Sequence, residues 1–152
     1  MSLDTILVAV GPKDADRYER LAEETIDIGS GAGAHVVLAH VFTEEQYETA
    51  LGRLKIDMNT EEATPGDVAR RHTTTRDIAA MLDEAGMEYE FRGGVGDHGD
   101  EIVAIAEAVD ADLVIVGGRK RTPAGKAAFG STAQEVMLEA PCPVTFVRAD
   151  TK

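Results

Sequence analysis

Apolar residues recur along this chain in two different rhythms. Residues 5–10 (TILVAV), 35–42 (HVVLAHVF) and 112–118 (DLVIVGG) are continuous, mostly β-branched runs, as expected of strands covered on both faces. Tyr18, Leu21, Ala22, Thr25 and Gly29 instead recur at spacings of three and four, which predicts a helix that GSGAG brings to a stop. The same spacing predicts a long helix from about 67 to 85, with Ile78, Met81, Leu82 and Ala85 on its apolar face and Gly86 at its end. Residues 87–94 (MEYEFRGG) alternate like a half-exposed strand at a sheet edge. Residues 100–111 read as an amphipathic helix, 131–140 as another, and 144–148 (VTFVR) as a fifth strand. Residues 43–66 are polar and acidic and close on Thr64-Pro65-Gly66, so they are expected to form a mobile insertion with some helical propensity.

Strands that alternate with helices, each strand apolar throughout, predict an α/β domain over residues 1–152: a doubly wound parallel sheet with helices on both faces. Ligands bind such sheets beyond the carboxyl ends of the strands, where strand order reverses. Three segments fall there: residues 11–14, residues 40–43 and the loop that follows Gly118.

Composition narrows the classes of partner. A net charge of −13 sets most of the surface against nucleic acid and against anionic membranes. Cys142 is the single cysteine, so no intramolecular disulfide forms, and no apolar run nears the ~20 residues of a bilayer span. The opening Met1-Ser2-Leu3-Asp4 lacks the basic and apolar regions of a signal peptide, and a cytoplasmic location is expected. Against the acidic background one window stands out. From Leu113 to Gln134 there is no acid, where an even spread would put about four, and there are four bases: Arg119, Lys120, Arg121 and Lys126.

Several motifs dissolve on inspection. GSGAGA (29–34) fits a dinucleotide fingerprint but follows a helix and precedes a strand, the reverse of the required context. GVGDHG (94–99) has the better context, yet Asp97, Asp100 and Glu101 would set acid against a pyrophosphate and suit a helix N-terminus instead. Gly125-Lys126 is all that the loop shares with a P-loop. The four histidines show no paired ligand spacing, Cys142 between two prolines reads as a small core residue, and no structural metal or catalytic triad is expected.

The loop after the fourth strand keeps its interest. Gly117 and Gly118 permit close backbone approach, while Gly130, Ser131 and Thr132 open a helix whose free N–H groups and dipole favour an anion. ILVAV, VVLAHV, DLVIVGGRKRTPAGKAAFGSTAQEV and PCPVTFVR together resemble the universal stress protein family over nearly the whole chain. The resemblance implies a five-stranded sheet in the order 3-2-1-4-5. It also implies an adenine nucleotide (ATP, ADP or AMP, with or without Mg) bound by Ala9, Val10 and Gly11, by the backbone of Val41, and by Gly117, Gly118, Arg119, Lys120, Gly130, Ser131 and Thr132. The family motif G-x2-G-x9-G-[ST] falls on Gly117, Gly130 and Ser131 but puts Lys120 where its second glycine belongs, and Gly11 stands where binding members carry an Asp.

Two functions are therefore open: a cytoplasmic stress-response sensor or regulator that binds nucleotide, and a nucleotide-free interaction module whose basic loop docks an unidentified acidic protein. No evident general base lies near the site, so catalysis beyond slow ATP hydrolysis is not expected. In the implied strand order the last strand is an edge, and pairing with its own copy through residues 143–148 would cover it as a homodimer.

Overall fold

The computed structural model describes residues 3–11, 13–56, 64–118 and 131–148. Five parallel strands form one sheet: β1 (Thr5–Val10), β2 (His35–Phe42), β3 (Tyr89–Val95), β4 (Leu113–Gly118) and β5 (Val144–Arg148). Their order is β3-β2-β1-β4-β5, so the expected topology holds. Chain order reverses on either side of β1, which places the switch point between β1 and β4.

Alternation along the strands divides the core in two. Ile6, Val8, Val36, Leu38 and Ile115 pack one face against Leu21 and Ala22 of α1 (Tyr18–Gly29) and against Ile78 and Leu82 of α4 (Thr73–Glu84). Leu7, Val37, Val41, Val114 and Val116 pack the other against Ile102 and Ala106 of α5 (His98–Ala108) and Val136 of α6 (Ser131–Glu139). Most of these side chains are fully buried, each worth about 2 kcal/mol of removal from water. The central strands therefore read as unbroken apolar runs because both of their faces are core. β3 is half-exposed at its edge, as its alternation predicts.

The helical propensity expected within 43–66 is realised. The segment opens with a capped helix, α2 (Glu44–Arg53), whose Thr43 hydroxyl accepts from the Gln46 backbone N–H while Gln46 accepts from the Thr43 N–H. Ala50 and Ile56 join Phe42 and Val68 in a third small core. Residues 57–63 lie outside the described residues.

The long helix expected over 67–85 is two helices. Thr64 and Asp67 form a second reciprocal cap, so α3 (Pro65–Arg71) starts two residues early with proline at its first position, where the missing N–H costs nothing. His72 is extended (φ −70°, ψ 134°) and separates α3 from α4. Three β-branched threonines, poor helix formers, follow the break. Ala85, expected on the apolar face, is the exposed C-cap of α4, and Gly86 (φ 73°) ends the helix as predicted.

Candidate functional site

The carboxyl ends of β1, β2 and β4 open into one cavity of about 360 Å³. Ala9, Val10 and Gly11 line it from β1 and the turn beyond, Val41 from β2, and Gly117 and Gly118 from β4. Ser131 and Thr132 face it from the first turn of α6, His98 and Ile102 from α5, and Gln46 from α2. Arg119, Lys120 and Gly130 lie outside the described residues.

Asp14 and Arg17, one turn beyond β1, also line this cavity. The Gly11 N–H donates to Asp14 Oδ2 at 2.6 Å. Arg17 Nε donates to Asp14 Oδ1, and Arg17 Nη1 donates to the Gly118 carbonyl oxygen at 2.6 Å. With side chains 12% and 8% exposed, the pair is a nearly dry tie between the ends of β1 and β4. The tie occupies the space over Gly117, where an added Cβ would lie 2.7 Å from Arg17 Nε and 2.8 Å from Asp14 Oδ1. Over Gly118 the Phe146 ring leaves still less room, 1.7 Å. Glycine is thus required at both positions by side chains of the protein itself, a demand additional to any ligand's.

Two further groups set the electrostatics. Gln46 Oε1 accepts from the Thr43 backbone N–H at 2.9 Å, which identifies that atom as the amide oxygen, and lies 2.8 Å from His98 Nε2. His98 therefore carries its proton on Nε2. At the seam of α5 and α6, the carboxylates of Asp97, Asp100 and Glu135 have oxygens within 4.8 Å of one another, the one group among the described residues with the donors for a metal ion. The hydrogen bond to Asp100, followed by burial and the charges of Asp97 and Asp100, pushes the Glu135 carboxyl up to about 7. Asp97 meanwhile caps α5 by accepting from the Asp100 N–H at 3.1 Å. Asp97 of GVGDHG and the Asp100 and Glu101 that follow thus serve a helix N-terminus, as the sequence predicts.

Comparison with known proteins bears on a chain of this fold and site. The model of the universal stress protein family matches residues 2–148. The chain belongs to the universal stress protein family. A universal stress protein of Mycolicibacterium smegmatis (strain ATCC 700084 / mc(2)155) is 39% identical over 92 residues, which are 57% of this chain and 71% of that protein. A solved universal stress protein from Archaeoglobus fulgidus superposes with a TM-score of 0.68 at 28% identity, covering 95% of this chain and 98% of its own. A structure of the universal stress protein from the same organism in complex with dAMP gives a TM-score of 0.65 at 25% identity, covering 97% and 99%.

Within this universal stress protein the structure gathers the expected residues of β1, β2, β4 and α6 around one cavity and adds others that sequence reasoning missed. Asp14 falls in the segment 11–14 expected at the strand ends, but its pairing with Arg17 announces itself only by an Asp-x-x-Arg spacing directly after a strand, a pattern common on any helix surface. His98 sat inside a glycine motif set aside as a helix start, and Gln46 inside the acidic segment taken for an insertion.

Proposed function

We propose that this universal stress protein binds an adenine nucleotide in the cavity at the carboxyl ends of β1, β2 and β4, and acts in the cytoplasm as a sensor or regulator of the stress response without catalysing a reaction. One observation carries the reading: the cavity joins Val41 on one side to the first turn of α6 on the other, with the ends of β1 and β4 between. The base then lies beside the Val41 backbone and the phosphates near Ser131, where a helix N-terminus offers free N–H groups. Arg119, Lys120 and Gly130 complete the phosphate site in this reading. Lys13 adds positive charge to the lining, where Arg17 is balanced by Asp14. The dAMP complex of the Archaeoglobus fulgidus relative supports the class of ligand. Asp14, the carboxylate in the lining, is held by Arg17 and the Gly11 N–H and is therefore poorly placed to act as a base.

Calorimetric titration with ATP tests the reading, at low and high salt because screening weakens a phosphate site. Saturable binding is expected in the wild type. Ser131→Asp, which sets a carboxylate against the phosphates, is expected to abolish it while circular dichroism stays unchanged. Equal ATP affinity in the two proteins would remove the phosphates from α6.

A second reading is favoured by the Asp14–Arg17 tie, which fills space over Gly117 that a ligand would otherwise approach, and by Lys120 at a family glycine position. It makes the chain a nucleotide-free interaction module of the same fold. Absence of ATP binding in the wild type, with binding created by Lys120→Gly, would decide for it. In both readings the chain is a homodimer that pairs β5 with its own copy through residues 143–148.

A further inference from the structure

β2 serves a second cavity. Val41 lines the first, whereas its neighbours His40 and Phe42 line another of about 660 Å³, closed by α2 and the start of α4. That volume lies within the roughly 300–1,000 Å³ range of small-molecule sites. His40 is 1% exposed, and neither of its ring nitrogens makes a hydrogen bond of good geometry, the Val41 backbone only lying near enough to favour the charged ring weakly. His72 Nδ1 is likewise buried and unpartnered. Buried polar atoms in folded proteins are nearly always satisfied; these three nitrogens, each with under 1 Å² exposed, lie behind the wall of one cavity, where rotation of either ring would present them to an occupant.

The wall restricts what that occupant can be. His40 packs against Phe42 and His72 with ring centroids 4.2 Å away in each case, and Ala50 and Leu54 add apolar surface. This favours an aromatic body. The described residues bring no third ligating side chain into a metal-binding group with the two histidines, which argues against a metal ion. Arg53 is the lining cation and is offset by Glu45 and Asp77, so the wall gives an anion no net attraction. Burial, helped by His72 and His98, holds His40 neutral with a pKa of about 3. A neutral imidazole presents one N–H donor and one nitrogen acceptor.

The geometry points to a second binding site, formed by His40, His72 and Phe42 under α2, for a neutral heteroaromatic molecule that carries both a hydrogen-bond donor and an acceptor. It adjoins the proposed nucleotide cavity, with which it shares Gln46, lies on the opposite face of β2 and does not depend on nucleotide being bound.

Benzimidazole at pH 8, where it is uncharged, is a suitable probe. In the full chain labelled with nitrogen-15, the expected result is saturable shifts of the His40 and His72 ring nitrogens that excess ATP does not reverse. His40→Phe keeps the aromatic packing, removes both unpartnered nitrogens, and is expected to weaken binding at least tenfold. Should that variant fail to fold, Ala50→Leu, which narrows the cavity, is held to the same tenfold loss. The inference is overturned if no saturable shift occurs, water alone satisfying the nitrogens, if ATP competes with the probe, or if the folded variant retains its affinity. A wild type that binds benzimidazole but no ATP would overturn the nucleotide reading and leave this one standing.

Discussion

Arg17 holds two strand ends with one planar group, its Nε on Asp14 and its Nη1 on the Gly118 carbonyl. A lysine ammonium cannot reproduce this fork. Arg17→Ala leaves the buried Asp14 carboxylate without its counter-charge and is expected to cost about 3 kcal/mol in urea unfolding, with Arg17→Lys recovering only part of the loss. A second single-residue effect concerns pH. His40 has a folded pKa of about 3, below its ordinary 6.5 because of burial and then of the His72 and His98 charges. The unfolded chain therefore binds the proton more readily. The contribution of His40 is complete above pH 6.5 and falls as pH drops towards 3, by up to about 1.4 kcal/mol per pH unit. His72, lowered by its own burial and by Arg53, acts in the same direction. His40→Phe should flatten the acid limb of a stability–pH curve; an unchanged slope would show that this imidazole is already protonated in the fold. Glu135 acts oppositely, since a carboxyl raised to about 7 contributes below its ordinary value and loses that contribution as pH rises through 7.

At the scale of elements, caps and close approaches decide where helices sit. Thr43→Ala removes the hydroxyl that accepts the Gln46 N–H and should lower stability by about 1 kcal/mol, measurable as a shift in urea midpoint at constant slope. Gly93 of β3 lies so close under the start of α3 that an added Cβ would sit 2.1 Å from the Pro65 carbonyl oxygen. Backbone cannot yield there as a side chain can, so Gly93→Ala is expected to cost about 2–3 kcal/mol by displacing α3. The contrast between these elements and the sheet explains what was legible in the sequence. β1, β2 and β4 are buried on both faces, and burial writes itself as an uninterrupted apolar run. α2 is held by a Thr-x-x-Gln cap and a few contacts around Ala50, and among acidic neighbours so sparse a stripe passes for loop. Thr64-Pro65-Gly66 looked like a turn because proline and glycine signal turns and helix starts alike.

For the whole molecule, charge and edge pairing set the expectations. A net charge of −13 on one domain repels itself, so raising NaCl from low to moderate concentration should raise the urea midpoint. In the proposed homodimer β5 pairs with its copy. Phe146 also shields Gly118 within the chain, and Thr145→Pro is the cleaner test because it removes a backbone donor and leaves that ring in place. Sedimentation should show this variant shifted towards monomer with its helical signal intact, whereas an unchanged dimer would put the interface elsewhere. The lining of the candidate site was legible where topology and the family resemblance together placed it: residues 9–11, Val41, Gly117 and Ser131 lie at one end of the sheet. It was not legible where it rests on side chains meeting across the fold, as Arg17 meets Gly118 over 101 positions of sequence.

The two cavities flank the end of a single strand, share Gln46 and divide the residues of that strand by parity. His40 pairs with Val10 on one side and Gly93 on the other, and this register sends even-numbered residues near the end of β2 one way and Val41 the other. A slip of one residue would turn an imidazole into the first cavity and a valine into the histidine cluster, exchanging the chemistry of both. Every hydrogen bond that fixes β2 between β1 and β3 therefore also keeps two different cavity linings from trading places.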